Sequence, residues 1–403
     1  MIKKSILLLF WKYARYGVLL LLIGLMAISS HPYIVDLSDE SGITNGTVLS
    51  KYINLVFSVL FIMCLTNFSF LKCKTLMISG AVFFFIILYY LITFSFFGTD
   101  KMLEDARAIL ISLLAILIGW QLNFGKKELY VVLLAYAGLV LYVGLMQVIV
   151  NIGGFEILDL YESDHKNALG VMLSTSVIIF LFVGLNWQEI GWARFVFFVA
   201  ALVTIVVILT IRARASTIGC VIVLLYVFFA RYKKRNFVIY LIVGIVLIVI
   251  LYNVIPDAVK DYVYNSFYQN YENDDVTSDR LNRNRAALRF LSQHFWLGNL
   301  NVYTNLDWIH NYPLEKMYKY GFIFSFPILV LYLFLLAVSF FKSVKADNRN
   351  IYCIGCYLLL VPYIVSMAEP TLPFGPGTAT IFNFIFFGIF LRKIYDEIPQ
   401  TKK

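Results

Sequence analysis

The feature that most restricts this chain is a succession of apolar runs, each roughly 17 to 25 residues long and ended by a charged, polar or Gly-containing break. A helix rises about 1.5 Å per residue, so about 20 apolar residues cross the ~30 Å hydrocarbon core of a bilayer. Composition agrees: 61% of the 403 residues are apolar and 14% are charged, where an ordinary soluble domain carries about 25% charge. Disorder, a disulfide-stapled secreted module and an ordinary soluble enzyme are thereby excluded. The expected fold is all-α and integral to a membrane.

Twelve spans are expected, at about 16–30, 52–70, 75–97, 106–123, 129–151, 167–186, 195–211, 215–230, 236–255, 317–341, 350–368 and 379–391. The stretch from Phe195 to Ala230 is interrupted only by Arg212 and Arg214. At roughly 36 residues it is too long for one span, which predicts a hairpin with the arginines at its tip. No soluble domain and no internal repeat is visible. Residues 1–403 therefore read as a single polytopic domain, with 256–316 as its one extended extramembrane loop.

Cations set the expected orientation. With a cytoplasmic amino terminus, the inner segments hold 20 Lys and Arg against 5 Asp and Glu, and the outer segments hold 13 against 19. This is the positive-inside pattern, and it predicts that both termini are cytoplasmic. The net charge of +9 is spread over several inner loops, where anionic lipid attracts it, so it does not argue for nucleic acid. The first span follows Lys3, Lys4, Lys12 and Arg15, but no small-residue cleavage site follows Ser29 and Ser30, and it reads as a retained span. The Cys353 and Cys356 pair has CxxC spacing without a second pair, so all five cysteines (Cys64, Cys73 and Cys220 are the others) read as core residues, with no disulfide, metal or cofactor expected.

The informative residues are the polar ones that hydropathy does not explain. In the long outer loop, Tyr264, Phe267, Tyr268 and Tyr271 share one helical face, suited to a headgroup layer or to stacking on sugar rings. Thr277 to Asp279 then offers a cap for a short helix from Leu281 to Phe295. At 100° per residue, Leu281, Leu288, Leu291 and Phe295 form a stripe, flanked by Arg280 and Arg283 on one side and by Arg285 and Arg289 on the other. Four arginines on an acidic face are either solvated and paired with Asp274, Asp275 and Asp279, or they grip a phosphate or pyrophosphate. Arg212 and Arg214 lie on the same face, either snorkelling to the surface or lining a watery cavity. His31, His165, His294 and His310 all fall on this side, and His310, just before the tenth span, is either structural or a candidate base, with Glu315, Asp307 and Glu369 as alternatives.

Taken in order, these motifs resemble the O-antigen polymerase and O-antigen ligase superfamily. The resemblance lies in ARAS around Arg214, TSDRLNRNRAALRFL ahead of WLGN around Arg280, and IHNYPLEKMYKYG with His310, Asn311 and Gly321. DHKNALGVML, from Asp164 to Leu173, is similar to the family's Asn-containing start of the corresponding span. The chain differs from the commonest pattern in ARAS, where a Ser or Thr often precedes the arginine, and in Asn284, where an aromatic residue often stands.

The resemblance implies a metal-independent, GT-C-like membrane glycosyltransferase of the bacterial inner membrane, acting at the periplasmic face. Its substrate would be a glycan carried on polyprenyl pyrophosphate, with a flippase and a chain-length regulator as partners. By the resemblance, Arg214 and Arg280 hold the pyrophosphate and His310 orients or deprotonates the acceptor hydroxyl, while Arg212, Arg283, Asn311, Asn167 and Lys166 bind substrate. A polymerase is favoured, with a ligase that transfers glycan to lipid A core as the alternative. A non-enzymatic transporter or flippase is a second alternative, against which stands the lack of an inverted-repeat pattern of broken helices.

Overall fold

The computed structural model describes residues 2–32, 45–65, 74–97, 100–152, 164–186, 191–211, 213–231, 253, 280–300, 309–345, 350–375 and 377–397. Among these residues there are twelve α-helices and no strand. They are α1 (Ile2–Ile28), α2 (Asn45–Leu65), α3 (Lys74–Phe97), α4 (Asp100–Gln121), α5 (Lys126–Ile152) and α6 (Asp164–Asn186). There follow α7 (Gly191–Thr210), α8 (Arg214–Arg231), α9 (Arg280–Gln293), α10 (Tyr312–Lys345), α11 (Ile354–Val365) and α12 (Gly377–Glu397). Two 3-10 turns, Gly298–Leu300 and Ile351–Cys353, complete the described elements.

Eleven of the expected spans coincide with one of these helices, α9 being the short extra one, and of the span at 236–255 only residue 253 is among the described residues. Among the described residues, six segments are long and apolar enough to cross a membrane: Phe10–Ile28, Lys126–Val150, Asn167–Asn186, Gly191–Thr210, Arg214–Arg231 and Tyr312–Ser343. The protein is a multi-pass, all-α membrane protein. Its periphery shows why water is the wrong solvent: on α7, Trp192 is 70% exposed and Phe195 71%. Leaving such a side chain in water forfeits about 1.5–3 kcal/mol relative to burial, and lipid removes that penalty.

Apolar side chains gain nothing by leaving lipid for one another, so close backbone packing and internal hydrogen bonds hold the bundle. Where α4 crosses α12, a Cβ on Gly119 would sit 1.8 Å from the Ile385 carbonyl oxygen, and one on Gly388 would sit 2.1 Å from that of Ile116. Only glycine allows that crossing. Deep in the bundle, the amide of Asn383 donates to the Leu358 carbonyl at 2.6 Å and to Thr175 Oγ1 at 3.1 Å, tying α12 to α11 and α6.

The helices leave two ends of different character. At one end Lys12 pairs with Glu128 at 2.6 Å, Tyr352 donates to the Phe124 carbonyl at 2.8 Å, and Lys393 reaches Asn123 at 3.1 Å. The other end gathers the starts of α2, α4, α8, α9, α10 and α12 with the close of α11, and the candidate site is there. The predicted hairpin also forms: α7 stops at Thr210 and α8 restarts at Arg214, with Arg212 itself outside the described residues.

Candidate functional site

The site is built on the turn that ends α11. The last carbonyls of a helix have no partner within it and carry the negative end of its dipole, so they attract donors and cations. Here three successive carbonyls are taken in turn: Ser366 accepts from the Tyr312 N–H at 3.0 Å, Met367 from the Asn311 amide at 3.2 Å, and Ala368 from Arg280 Nη1 at 2.9 Å. Asn311 also caps α10, its Oδ1 accepting the Leu314 N–H at 3.0 Å. One turn of chain thus fixes the starts of both α9 and α10. Arg280 Nη2 completes the arrangement by pairing with Glu369 at 3.1 Å.

Helix α9 lies on the first turns of α10 through only part of the stripe that sequence suggested: Leu291 is buried and Phe295 stacks on Phe322 with ring centroids 5.0 Å apart. Leu281 and Leu288 are 52% and 57% exposed, whereas Ala287 and Leu291 are buried and Phe290 packs on Tyr318 with ring centroids 4.9 Å apart. The contact face is narrower and rotated because α10 itself presents aromatic bulk, and small Ala287 lets the two backbones approach. This rotation sorts the arginines. Arg280 and Arg283 are half-buried, and Arg285 and Arg289 are exposed.

A pair of glycines locks α9 in place. At Gly321, with φ 67° and ψ 176°, α10 breaks its helical path. The N–H groups freed there find carbonyls from the segment after α9: Phe322 donates to Phe295 at 2.8 Å and Ile323 to Trp296 at 3.3 Å. Gly298 turns with φ 57°, and a Cβ on it would lie 2.4 Å from the Gly321 nitrogen. The glycines of WLGN and KYG are therefore two sides of one backbone contact.

His310 stands half-buried beside these arginines, and its Nδ1 is buried with no hydrogen-bond partner among the described residues. Burial, then the charges of Arg280 and Arg283, pull its pKa down from 6.5 to about 4. The Asn284 Oδ1, on the same face of α9, is likewise buried without a hydrogen bond. The structure thus brings together Arg280, Arg283, His310 and Asn311. Arg214 opens α8, whose Gly219 packs against Val365 just before the same turn, so it stands at the same end of the bundle. Asn167, half-buried, is one turn before Gly170, which packs against Ala213 and Ser216 at the start of α8.

Several expectations have other outcomes. The aromatic stretch Tyr264 to Tyr271, Asp274, Asp275, the Thr277 to Asp279 cap, Asp307, Arg212, Cys73 and the side chains of His165 and Lys166 lie outside the described residues. Of the alternative bases, Glu369 holds Arg280, and Glu315 pairs with Lys316 and Lys319. Among the described residues no three His, Cys, Asp or Glu side chains gather at metal-ligand spacing.

Sequence reasoning missed a second polar cluster on the α4 side of α10. Lys316, with its side chain 5% exposed, is bound by both oxygens of Asp105 at 2.7 and 2.8 Å. Tyr320 donates to the same carboxylate at 2.8 Å. Removing one partner of a buried pair costs ~3–5 kcal/mol, so this pair fixes how α4 and α10 meet. A signal existed in the Glu104, Asp105, Arg107 group at the head of one span and the Glu315, Lys316, Lys319 group at the head of another.

The fold and site together define a multi-pass membrane protein with a cationic cluster assembled at one end of its bundle. Residues 199–323, which contain Arg214, Arg280, Arg283, His310 and Gly321, match the model of a family described as O-antigen ligase. The match supports the O-antigen polymerase and ligase superfamily that the motifs resemble. No curated protein matches the chain.

Proposed function

We propose that the chain is a GT-C-like membrane glycosyltransferase of about twelve spans, and that it polymerises oligosaccharide repeat units carried on polyprenyl pyrophosphate. In this reading it sits in the bacterial inner membrane with both termini cytoplasmic and acts at the periplasmic face without a metal. The observation that carries the reading is the meeting of Arg280, Arg283 and His310 at the start of α10.

Arg214 and Arg280 are the first residues of their helices, with no acidic residue in either first turn. A cation there opposes the helix dipole and costs about 0.3–1 kcal/mol, while an anion gains from cation and dipole together. A guanidinium also carries more donors than the two bonds of Arg280 use. Cleaving the bond between the anomeric carbon and pyrophosphate oxygen leaves growing negative charge on the pyrophosphate, which these groups stabilise more in the transition state than in the ground state.

His310 supplies the acceptor side. Its imidazole stands beside Arg280 and Arg283, where it would take up the proton of the acceptor hydroxyl. The low pKa makes it a weak base while the arginines are unneutralised. A pyrophosphate seated on Arg280 and Arg283 cancels their part of that lowering, so the base strengthens when the donor is bound.

Arg214→Ala, Arg280→Ala and His310→Ala variants at normal expression test the assignment. Each is expected to lose full-length glycan, with the loss at each arginine on the scale of ~10²–10³-fold in rate. Full-length glycan from all three variants would contradict it. The ligase reading is favoured by the description of the matching family, and a deletion strain separates the two. Single repeats on lipid A indicate a lost polymerase, and bare lipid A core indicates a lost ligase.

A further inference from the structure

Glu369 stands where a carboxylate is poorly stabilised. It follows directly on the turn that prolongs α11, in which the N–H groups of Ser366, Met367 and Ala368 bond back to the carbonyls of Pro362, Ile364 and Val365. The negative end of the α11 dipole lies at that turn and disfavours a further negative charge there. Burial disfavours it again, since the Glu369 side chain is 6% exposed. Arg280 offsets both effects: its Nη2 reaches Glu369 Oε1 at 3.1 Å while its Nη1 holds the neighbouring Ala368 carbonyl at 2.9 Å.

The two partners are unequally enclosed. Arg280 keeps 27% of its side-chain surface exposed against 6% for Glu369, so the guanidinium has an accessible side and the carboxylate lies on its enclosed side. A carboxylate placed behind a cation does two things to an anion in front of it. By taking one donor, with Ala368 taking another, it fixes the plane of the guanidinium and the direction of the remaining N–H groups. It also subtracts charge. At an effective dielectric of about 20, a like unit charge roughly 6–10 Å from a pyrophosphate weakens binding by about ten- to a hundredfold.

That weakening falls most heavily on the product. Cleaving the glycosyl bond turns a pyrophosphate diester into a monoester, which carries additional negative charge and is held more tightly by any set of arginines. A site that grips donor, transition state and product alike lowers KM without raising kcat, and release then limits turnover. We propose that Glu369 is a positioning residue that acts through Arg280, fixing the guanidinium and tempering its hold on pyrophosphate so that the spent polyprenyl pyrophosphate leaves. The proposal rests on the glycosyltransferase reading for the identity of the anion, and on the buried pair for the effect.

Inorganic pyrophosphate titrated calorimetrically into detergent-purified protein tests it. Glu369→Gln keeps the size of the side chain and an acceptor for Arg280 but removes the charge, and it is expected to bind pyrophosphate about tenfold or more tightly than the wild type. Glu369→Ala should also bind more tightly, by a smaller factor because the guanidinium loses its guide. Glu369→Asp keeps the charge and should bind as the wild type does. Unchanged or weaker binding in the two neutral variants would overturn the proposal, as would failure of both to fold, since the carboxylate would then be a structural clamp. In cells, Glu369→Gln at wild-type expression should make glycan more slowly, and tighter binding with an undiminished rate would overturn the role in release. Arg280→Ala separates this from the reading beneath it. Pyrophosphate that binds Arg280→Ala as it binds the wild type would remove the arginine assignment itself. Weakening by Arg280→Ala without tightening by Glu369→Gln would leave that assignment standing and remove only the role of Glu369.

Discussion

Arg280 does two jobs that pull in different directions. It holds the end of α11 through Ala368 and Glu369, and in the proposed reaction it must also face a pyrophosphate. His310 registers that positive field. In the unfolded chain it takes up a proton near its ordinary pKa of 6.5, and in the folded protein only near 4. Above pH 6.5 neither state is protonated and folding carries no penalty from this group. Between 6.5 and about 4 the unfolded state binds the proton first, so stability falls with pH, and below about 4 the loss is complete. Thermal unfolding measured from pH 7 to pH 4 should therefore fall more steeply in the wild type than in His310→Gln. Equal slopes would mean that the imidazole is not held neutral beside these arginines.

At the scale of elements, the contact between Gly298 and Gly321 decides where α9 sits. A residue with a side chain at Gly321 would need φ 67° with an extended ψ, a region essentially closed to it at a cost of about 1–3 kcal/mol. Its Cβ would also lie 2.3 Å from the Trp296 carbonyl oxygen. Gly321→Ala is expected to free α9 from α10, lowering thermal stability and exposing the 295–298 segment to protease, with glycan synthesis lost as a consequence. Unchanged protease resistance would show that α9 is anchored by other contacts. The sequence made α9 legible as a helix but not its packing face. Amphipathic counting favoured the large residues Leu281 and Leu288, whereas the partner helix selected small Ala287. Likewise the Asp105 to Lys316 pair joins residues 211 positions apart, and no local pattern reports a partner at that distance.

Over the whole molecule, hydropathy was enough to place eleven helices, because a bilayer demands about 20 apolar residues in register with its thickness. The hairpin broken around Arg212 was legible for the same reason. The site was legible only as a set of exceptions, arginines on the face that the charge pattern makes otherwise acidic by expectation, and the sequence could not say which of them converge. Folding resolves that choice: Arg280 and Arg283 turn inward towards His310, and Arg285 and Arg289 turn outward. Glycan chain length should be measured in cells carrying Arg280→Ala or Arg285→Ala, each at wild-type expression. Arg280→Ala should abolish full-length glycan and Arg285→Ala should retain it; long glycan from Arg280→Ala, with loss from Arg285→Ala, would contradict the role given to Arg280.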